Sequence, residues 1–206
     1  MSRQTIRDAR FLVNMSNEVV LDIETQNTFQ DVGTAMHKGL KISVVGCYFY
    51  EQDEFVCYEE HELPKLFQRL EHSGRIIGYN TKGFDYPVMN NYYAGDVARL
   101  ASLDLLEEIH HALGFRIKLD DVAKATLGIG KSGHGLQAVE WWKQGEVQKI
   151  KDYCLQDVKV TKEVYEFGKL YKIVRYLDRL GTYHDIPVNF DEVLKGAPTI
   201  NLTMGF

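Results

Sequence analysis

Asp22 and Glu24 close the apolar run Val19-Val20-Leu21 in the segment VVLDIETQN, with only Ile23 between them. Side chains along a strand repeat every two residues, so both carboxylates point to one face. Two such charges about 4 Å apart repel by about 4 kcal/mol at a near-surface effective dielectric. Either the strand ends here and water screens the pair, or a cation sits between them. With 29 Asp and Glu residues in the chain, the spacing alone means little. Its place at the end of a buried strand means more, because open α/β sheets bind ligands beyond the carboxyl ends of their strands.

Two further acids could join this pair. Asp85 follows the apolar segment Arg75–Tyr79 by the short turn NTKGF. Taken alone it reads as a helix N-cap. If its strand lies parallel beside the first, however, it arrives at the same sheet end as Asp22 and Glu24. Tyr153 and Asp157 (YCLQD) stand four apart in a helical stretch and share a face one turn apart. Tyr92 and Asp96 have the same spacing, but Gly95 interrupts that helix. Asp157 alone reads as an acid on a solvated face. Its helical neighbours Tyr153, Cys154, Val158, Val160 and Val164 are largely apolar, and an acid among them needs a partner or a metal.

These side chains need a scaffold. Strands are predicted at Glu18–Ile23, Lys41–Tyr50, Glu54–Tyr58, Arg75–Tyr79 and Ala101–Leu103, the second and third forming a hairpin through Gln52-Asp53. Helical spacing covers Leu63–His72, with Pro64 harmless in its first turn, and Phe84–Tyr93, Leu105–Leu113, Leu119–Leu127, Leu136–Lys143 and Glu146–Lys169. Gly128–Gly135 (GIGKSGHG) is a loop, and periodicity is lost after Gly181. Three consecutive strands followed by strands separated by helices imply a mixed α/β sheet covered by helices.

The chain of 206 residues suits one domain, 1–206, with a motif core at about 18–168 and a C-terminal extension at 169–206. A formal charge of −5 argues against binding nucleic acid by bulk attraction, although a cluster of catalytic acids can hide local basic patches. Three cysteines without metal-type spacing, and no secretory leader, point to reduced thiols in the cytoplasm. No apolar run reaches the ~20 residues of a membrane span, so no membrane partner is expected.

Asp22-Ile23-Glu24, then Asn80-x-x-x-Phe84-Asp85, then Tyr153-x-x-x-Asp157 resemble, in order and interval, the three motifs of the DEDD superfamily of 3′–5′ exonucleases. Tyr153 matches its tyrosine subclass; the alternative histidine position, five before Asp157, holds Asp152. The chain is also similar to exonuclease domains that stand alone or attached to helicases and polymerases. The resemblance implies a ribonuclease-H-like five-stranded sheet, strands 1–3 antiparallel and 4–5 parallel to the first. It implies hydrolysis at the 3′ end of single-stranded DNA or RNA, releasing nucleoside 5′-monophosphates, with a helicase or polymerase as the kind of protein partner.

Four converging carboxylates need counter-charge. All-oxygen ligands suit two divalent cations, Mg²⁺ or Mn²⁺, held by Asp22, Glu24, Asp85 and Asp157. Asp22 would be shared by both, Glu24 and Asp157 would complete the water-activating side, and Asp85 would serve the leaving 3′-oxygen. Tyr153 would orient the attacking water, since a phenol of pKa ~10 is a poor base at neutral pH; the alternative is a core tyrosine. Thr25 would bond the terminal 3′-OH, Asn80 and Phe84 would seat the terminal nucleotide, and Lys82 would touch a phosphate or stay a solvated turn lysine. Lys131 and His134 in the glycine loop, Trp141-Trp142, and the basic group Lys169, Lys172, Arg175 and Arg179 are further candidate contacts, each with a bland alternative as loop, core or solvated face. Two rivals stand beside this reading: a catalytically silent nucleic-acid-binding scaffold, and a structure-selective endonuclease on the same fold.

Overall fold

The computed structural model describes residues 17–129 and 135–191. Strand β1 (Glu18–Thr25) lies at the centre of a five-stranded sheet of order β3-β2-β1-β4-β5. Strands β2 (Ile42–Phe49) and β3 (Glu54–Glu59) continue from it as antiparallel neighbours. On its other side, β4 (Arg75–Gly78) and β5 (Ser102–Asp104) run parallel to it. This is the mixed sheet expected from the sequence. Every residue of β2 is buried, as a strand covered on both faces requires.

The alternation along β1 divides the core. Val19, Leu21 and Ile23 pack with Leu63, Leu66, Phe67 and Leu70 of α2 (Leu63–Glu71) and Met89 of α3 (Asp85–Met89). The opposite side chain of Val20 packs with Ile109 of α4 (Leu105–Leu113), Val122 of α5 (Leu119–Leu127), and Val158, Val164 and Tyr165 of α7 (Val147–Tyr171). Two further helices complete the set among the described residues. Helix α1 (Phe29–Val32) is closed by a Thr28–Asp31 capping box, and α6 (Gly135–Lys143) leads into α7. Among the described residues, no helix is long and apolar enough to cross a membrane.

Besides shifts of one or two residues at strand ends, among them β1 running to Thr25 instead of Ile23, the structure departs from the sequence reading in four places. Helix α3 stops at Met89, short of the predicted Tyr93, with Asn90 as its C-cap. Helix α7 runs two residues beyond the predicted Lys169, to Tyr171. A hairpin pairs β6 (Ile173–Leu177), where no element was predicted, with β7 (Tyr183–Pro187), in the segment read as aperiodic. It docks on α5, where the Thr126 hydroxyl accepts from the Arg175 amide at 2.8 Å. Finally, α1 and the 3₁₀ segment Gly33–Gly39 fill a stretch for which no element was predicted. Lys131 and His134 lie outside the described residues.

At the end of β1 remote from its acids, Glu18 is held by Arg75, whose Nε donates to Oε1 at 2.9 Å, and by the Tyr165 hydroxyl at 2.9 Å. Burial pushes the Glu18 carboxyl up, but Arg75, Lys169 and the bonds from Tyr165 and Arg75 outweigh it, so it titrates below the ordinary range. A depressed carboxylate adds stability above its unfolded pKa and loses it as pH falls through the folded value. Breaking a buried ion pair by removing one partner costs about 3–5 kcal/mol. Arg75→Met should fall near the low end, because Lys169 remains 3.5 Å from Glu18. The expected result is a fall in Tm of roughly 6–12 °C at pH 7, shrinking toward pH 3, as read by calorimetry.

Candidate metal centre

Strand β1 outruns its parallel neighbour. Its pairing with β4 ends at Val20 opposite Ile77, and the chain leaves the sheet after Gly78. The turn at 79–84 and the start of α3 fold back beside the remainder of β1, where the Ile23 amide donates to the Asp85 carboxyl. The short β4 thus explains how Asp85 reaches the sheet end that carries Asp22 and Glu24. A register shift between Glu24 and Thr25 bends β1 at this point.

Helix α7 supplies the third wall. It crosses the Val20 face of β1 with Tyr165 at Glu18 and Cys154 at Asp22, where the thiol donates to the Asp22 carbonyl at 3.3 Å. The approach is close because β2 offers Gly46 opposite Asp22; a Cβ there would lie 2.9 Å from Cys154 Sγ and 3.1 Å from Val158 Cγ2. The Gly46 amide donates to that sulfur at 3.2 Å. Burial raises the Cys154 thiol well above its ordinary value, and a hydrogen bond with Cys57 and the nearby Asp22 and Glu24 charges add to this. Cys154 is thus a packing and hydrogen-bonding group here.

This packing sets carboxylate oxygens of Asp22, Glu24 and Asp157 within 4.8 Å of one another. Glu24 is 8 % and Asp157 4 % exposed. Asp85, 3 % exposed, lines the same cavity of about 550 Å³ as these three. Burial pushes its carboxyl up to about 7; Asp104 adds to the rise, and bonds from its own amide and that of Ile23 oppose it. Asp85 sits at the first helical position of α3 with Phe84 as the cap residue, so it is not the N-cap that the sequence alone suggests. Carboxylates this close, with Asp22 partly exposed, favour a bound divalent cation with oxygen ligands.

Thr25, Asn80 and Phe84 also line the cavity. The Thr25 hydroxyl donates to the Asn27 carbonyl at 2.8 Å. Lys82 does not reach it. Its Nζ pairs with Glu107 and faces a separate hollow of about 190 Å³. Tyr153 is buried one turn before Asp157, its ring 6.0 Å from that of Trp141, and is not among the cavity-lining residues. Trp141 and Trp142 are half-buried against the cluster of Val44, Ile150, Tyr153 and Cys154. The proposed basic group is largely compensated: Lys169 pairs with Glu18, Lys172 with Asp191 and Arg175 with Asp185.

Sequence reasoning missed Phe29. It stands 40 % exposed on α1, lines the cavity, and meets Phe84 edge-on at 5.9 Å and His37 at 5.1 Å. The T-F-Q-D segment carries an N-cap signal in Thr28 and Asp31, but nothing in it marks Phe29 as facing a cavity.

The RNase_H_2 family model, of the RNase_H superfamily, matches residues 19–167. A comparison with curated proteins gives no match. Among solved structures, the family B DNA polymerase of the hyperthermophilic archaeon Pyrobaculum calidifontis is similar, with a TM-score of 0.58 at 16 % identity over 73 % of this chain. The likeness lies in the fold, and this chain spans 24 % of the polymerase. With its family model matched from β1 to the last turns of α7, the chain belongs to the RNase_H superfamily.

Proposed function

We propose that the chain is a metal-dependent 3′–5′ exonuclease that removes nucleoside 5′-monophosphates from single-stranded DNA or RNA. The observation that carries this is the convergence of Asp22, Glu24 and Asp157 within 4.8 Å in a cavity that Asp85, Asn80 and Phe84 also line. A superfamily of nucleic-acid fold, a polymerase as a structural likeness and the tyrosine-type motif order all agree with it. Bound by the acids, two divalent cations, Mg²⁺ or Mn²⁺, supply charge neutralisation at the scissile phosphate and lower the pKa of the attacking water.

The chain's own groups do the rest. Asp22, Glu24, Asp85 and Asp157 would hold the cations, Glu24 and Asp157 serving the attacking water and Asp85 the leaving 3′-oxygen. The Tyr153 hydroxyl orients the water for in-line attack. The water's oxygen bonds to phosphorus and gives up one proton to solvent as the bond from phosphorus to the 3′-oxygen breaks, and that oxygen takes a proton from solvent. Asn80 and Phe84 seat the terminal nucleotide, and the Thr25 hydroxyl oxygen accepts a hydrogen bond from its 3′-OH. Residues 1–206 form one such domain, with 169–206 as an extension of it. It works in the cytoplasm beside a helicase or polymerase that exposes single-stranded ends. Its three cysteines, all thiols in the described structure, suit that setting.

Polarity tests the reading. Oligonucleotides carrying a 3′-phosphate should be cleaved at least ~10-fold more slowly than their 3′-hydroxyl counterparts, the scale of losing one well-placed hydrogen bond. A 5′ block should change nothing. Equal sensitivity to both blocks, or cleavage of a circular strand, would favour an endonuclease, and no cleavage of any substrate would favour a silent scaffold.

A further inference from the structure

The turn that carries Asn80 is gripped from two sides by residues outside the acid cluster. Asp104 ends β5 directly opposite Gly78, the last residue of β4, and is 4 % exposed. One of its oxygens accepts from the Asn80 amide at 2.8 Å and the Leu106 amide at 3.0 Å; the other accepts from the Lys82 amide at 3.1 Å. The Leu106 bond makes Asp104 the N-cap of α4. A cap needs only that one. The other two bonds cross to a separate turn and fix its backbone at two points.

Asn80 has φ 67°, in the left-handed region that asparagine adopts more readily than most residues other than glycine. The packing around it is tight, since a Cβ on Gly83 would lie 2.5 Å from Asn80 Oδ1. The side chain is held as well: Arg116, in the connection between α4 and α5, donates from Nη2 to Asn80 Oδ1. That bond settles the orientation of the amide. Its oxygen faces the guanidinium, so the group that the side chain can offer a ligand is its NH₂, a donor.

We infer that Asp104 and Arg116 are positioning residues which set Asn80 to receive the terminal nucleotide, Asp104 through the backbone and Arg116 through the side-chain amide. The inference rests on the exonuclease reading for the identity of the ligand. It does not make Asp104 a fifth metal ligand. Both its oxygens are engaged by main-chain amides, and the close carboxylate group among the described residues is Asp22, Glu24 and Asp157.

The test uses the full chain with Asp104→Asn and Arg116→Ala. Asp104→Asn keeps the side chain's size and one acceptor oxygen but turns an NH₂ toward one of the amide donors. Arg116 is exposed, so its removal leaves the core intact. On a 3′-hydroxyl oligonucleotide with Mn²⁺, KM should rise about tenfold in Asp104→Asn and a few-fold in Arg116→Ala, the scale of a hydrogen bond involving a charged group. In both variants kcat should stay within about threefold of wild type, as expected for loss of uniform binding. Mn²⁺ affinity by titration should not change. Hydrogen exchange at the Asn80 and Lys82 amides should quicken in Asp104→Asn and not in Arg116→Ala.

Unchanged KM in both variants would reduce Asp104 to a helix cap and overturn the inference, as would a fall confined to kcat. Lost Mn²⁺ binding in Asp104→Asn would make it a ligand, which also overturns it. If the wild type cleaves no nucleic acid, the exonuclease reading fails by itself. The exchange data then still decide on the clamp: slow amides in wild type and fast ones in Asp104→Asn support it, and amides fast in both sink it.

Discussion

Asp22→Asn and Asp157→Asn should each lower phosphodiester hydrolysis by at least ~10³-fold while leaving the fold in place. Metal assistance contributes several kcal/mol of transition-state stabilisation, and each ~1.4 kcal/mol is a factor of ten in rate. An amide matches the carboxylate in shape but brings no charge to a divalent cation. Both acids belong to the group whose oxygens lie within 4.8 Å, so losing either takes a charge from the same place. The metal-free variants should melt at or above the wild-type temperature, because the substitution relieves repulsion among neighbouring acids. Paired measurements of initial rate and thermal unfolding check this. Loss of rate with loss of fold would leave the metal assignment unsupported, and a variant with normal rate would refute it.

Tyr153→Phe should cost ~10²–10³ in kcat, by analogy with removal of a single preorganised donor from a water-excluded site. The loss should fall on kcat, since the attacking water is held most tightly in the transition state. Mn²⁺ affinity should stay as in wild type, because a neutral phenol is not a ligand in this scheme. Phenylalanine keeps the ring that packs against Trp141, 6.0 Å away, so stability should change little. The competing view is a packing role, and the structure gives it some weight: Tyr153 is buried and stands behind the residues that line the cavity. Wild-type turnover in Tyr153→Phe would settle the residue as packing and leave the four acids to carry catalysis.

The sheet was legible in the sequence because its strands are apolar runs with strong punctuation. Val19 to Ile23, the all-buried β2 and the turn at Gln52-Asp53 leave little choice of period. Order and direction were not in the periodicity; the family resemblance supplied them. The β6–β7 hairpin escaped because β7 buries only Ile186, so YHDIP shows no alternation to read. Helix α1 escaped because it is a single turn held by its own capping box, with Phe29 facing a cavity.

At the site, same-face arguments foresaw that Asp22 and Glu24 would stand together and that Asp157 would need a partner. Compensation by distant charges was invisible. Lys169 meets Glu18, 151 positions earlier, and Lys82, in the turn after β4, meets Glu107 on α4. Asp104 was equally hidden, since its role consists of bonds to main-chain amides of residues 80 and 82, which carry no sequence signature.

The most direct test of a metal-dependent, end-directed nuclease is the product ladder from a 5′-labelled single strand, followed in Mn²⁺, in Mg²⁺ and in excess chelator. The account expects a ladder shortening one nucleotide at a time from the 3′ end, with nucleoside 5′-monophosphate as the released product, and no cleavage once the chelator is added. Cleavage that persists undiminished in chelator, or internal cuts without a stepwise ladder, would contradict it.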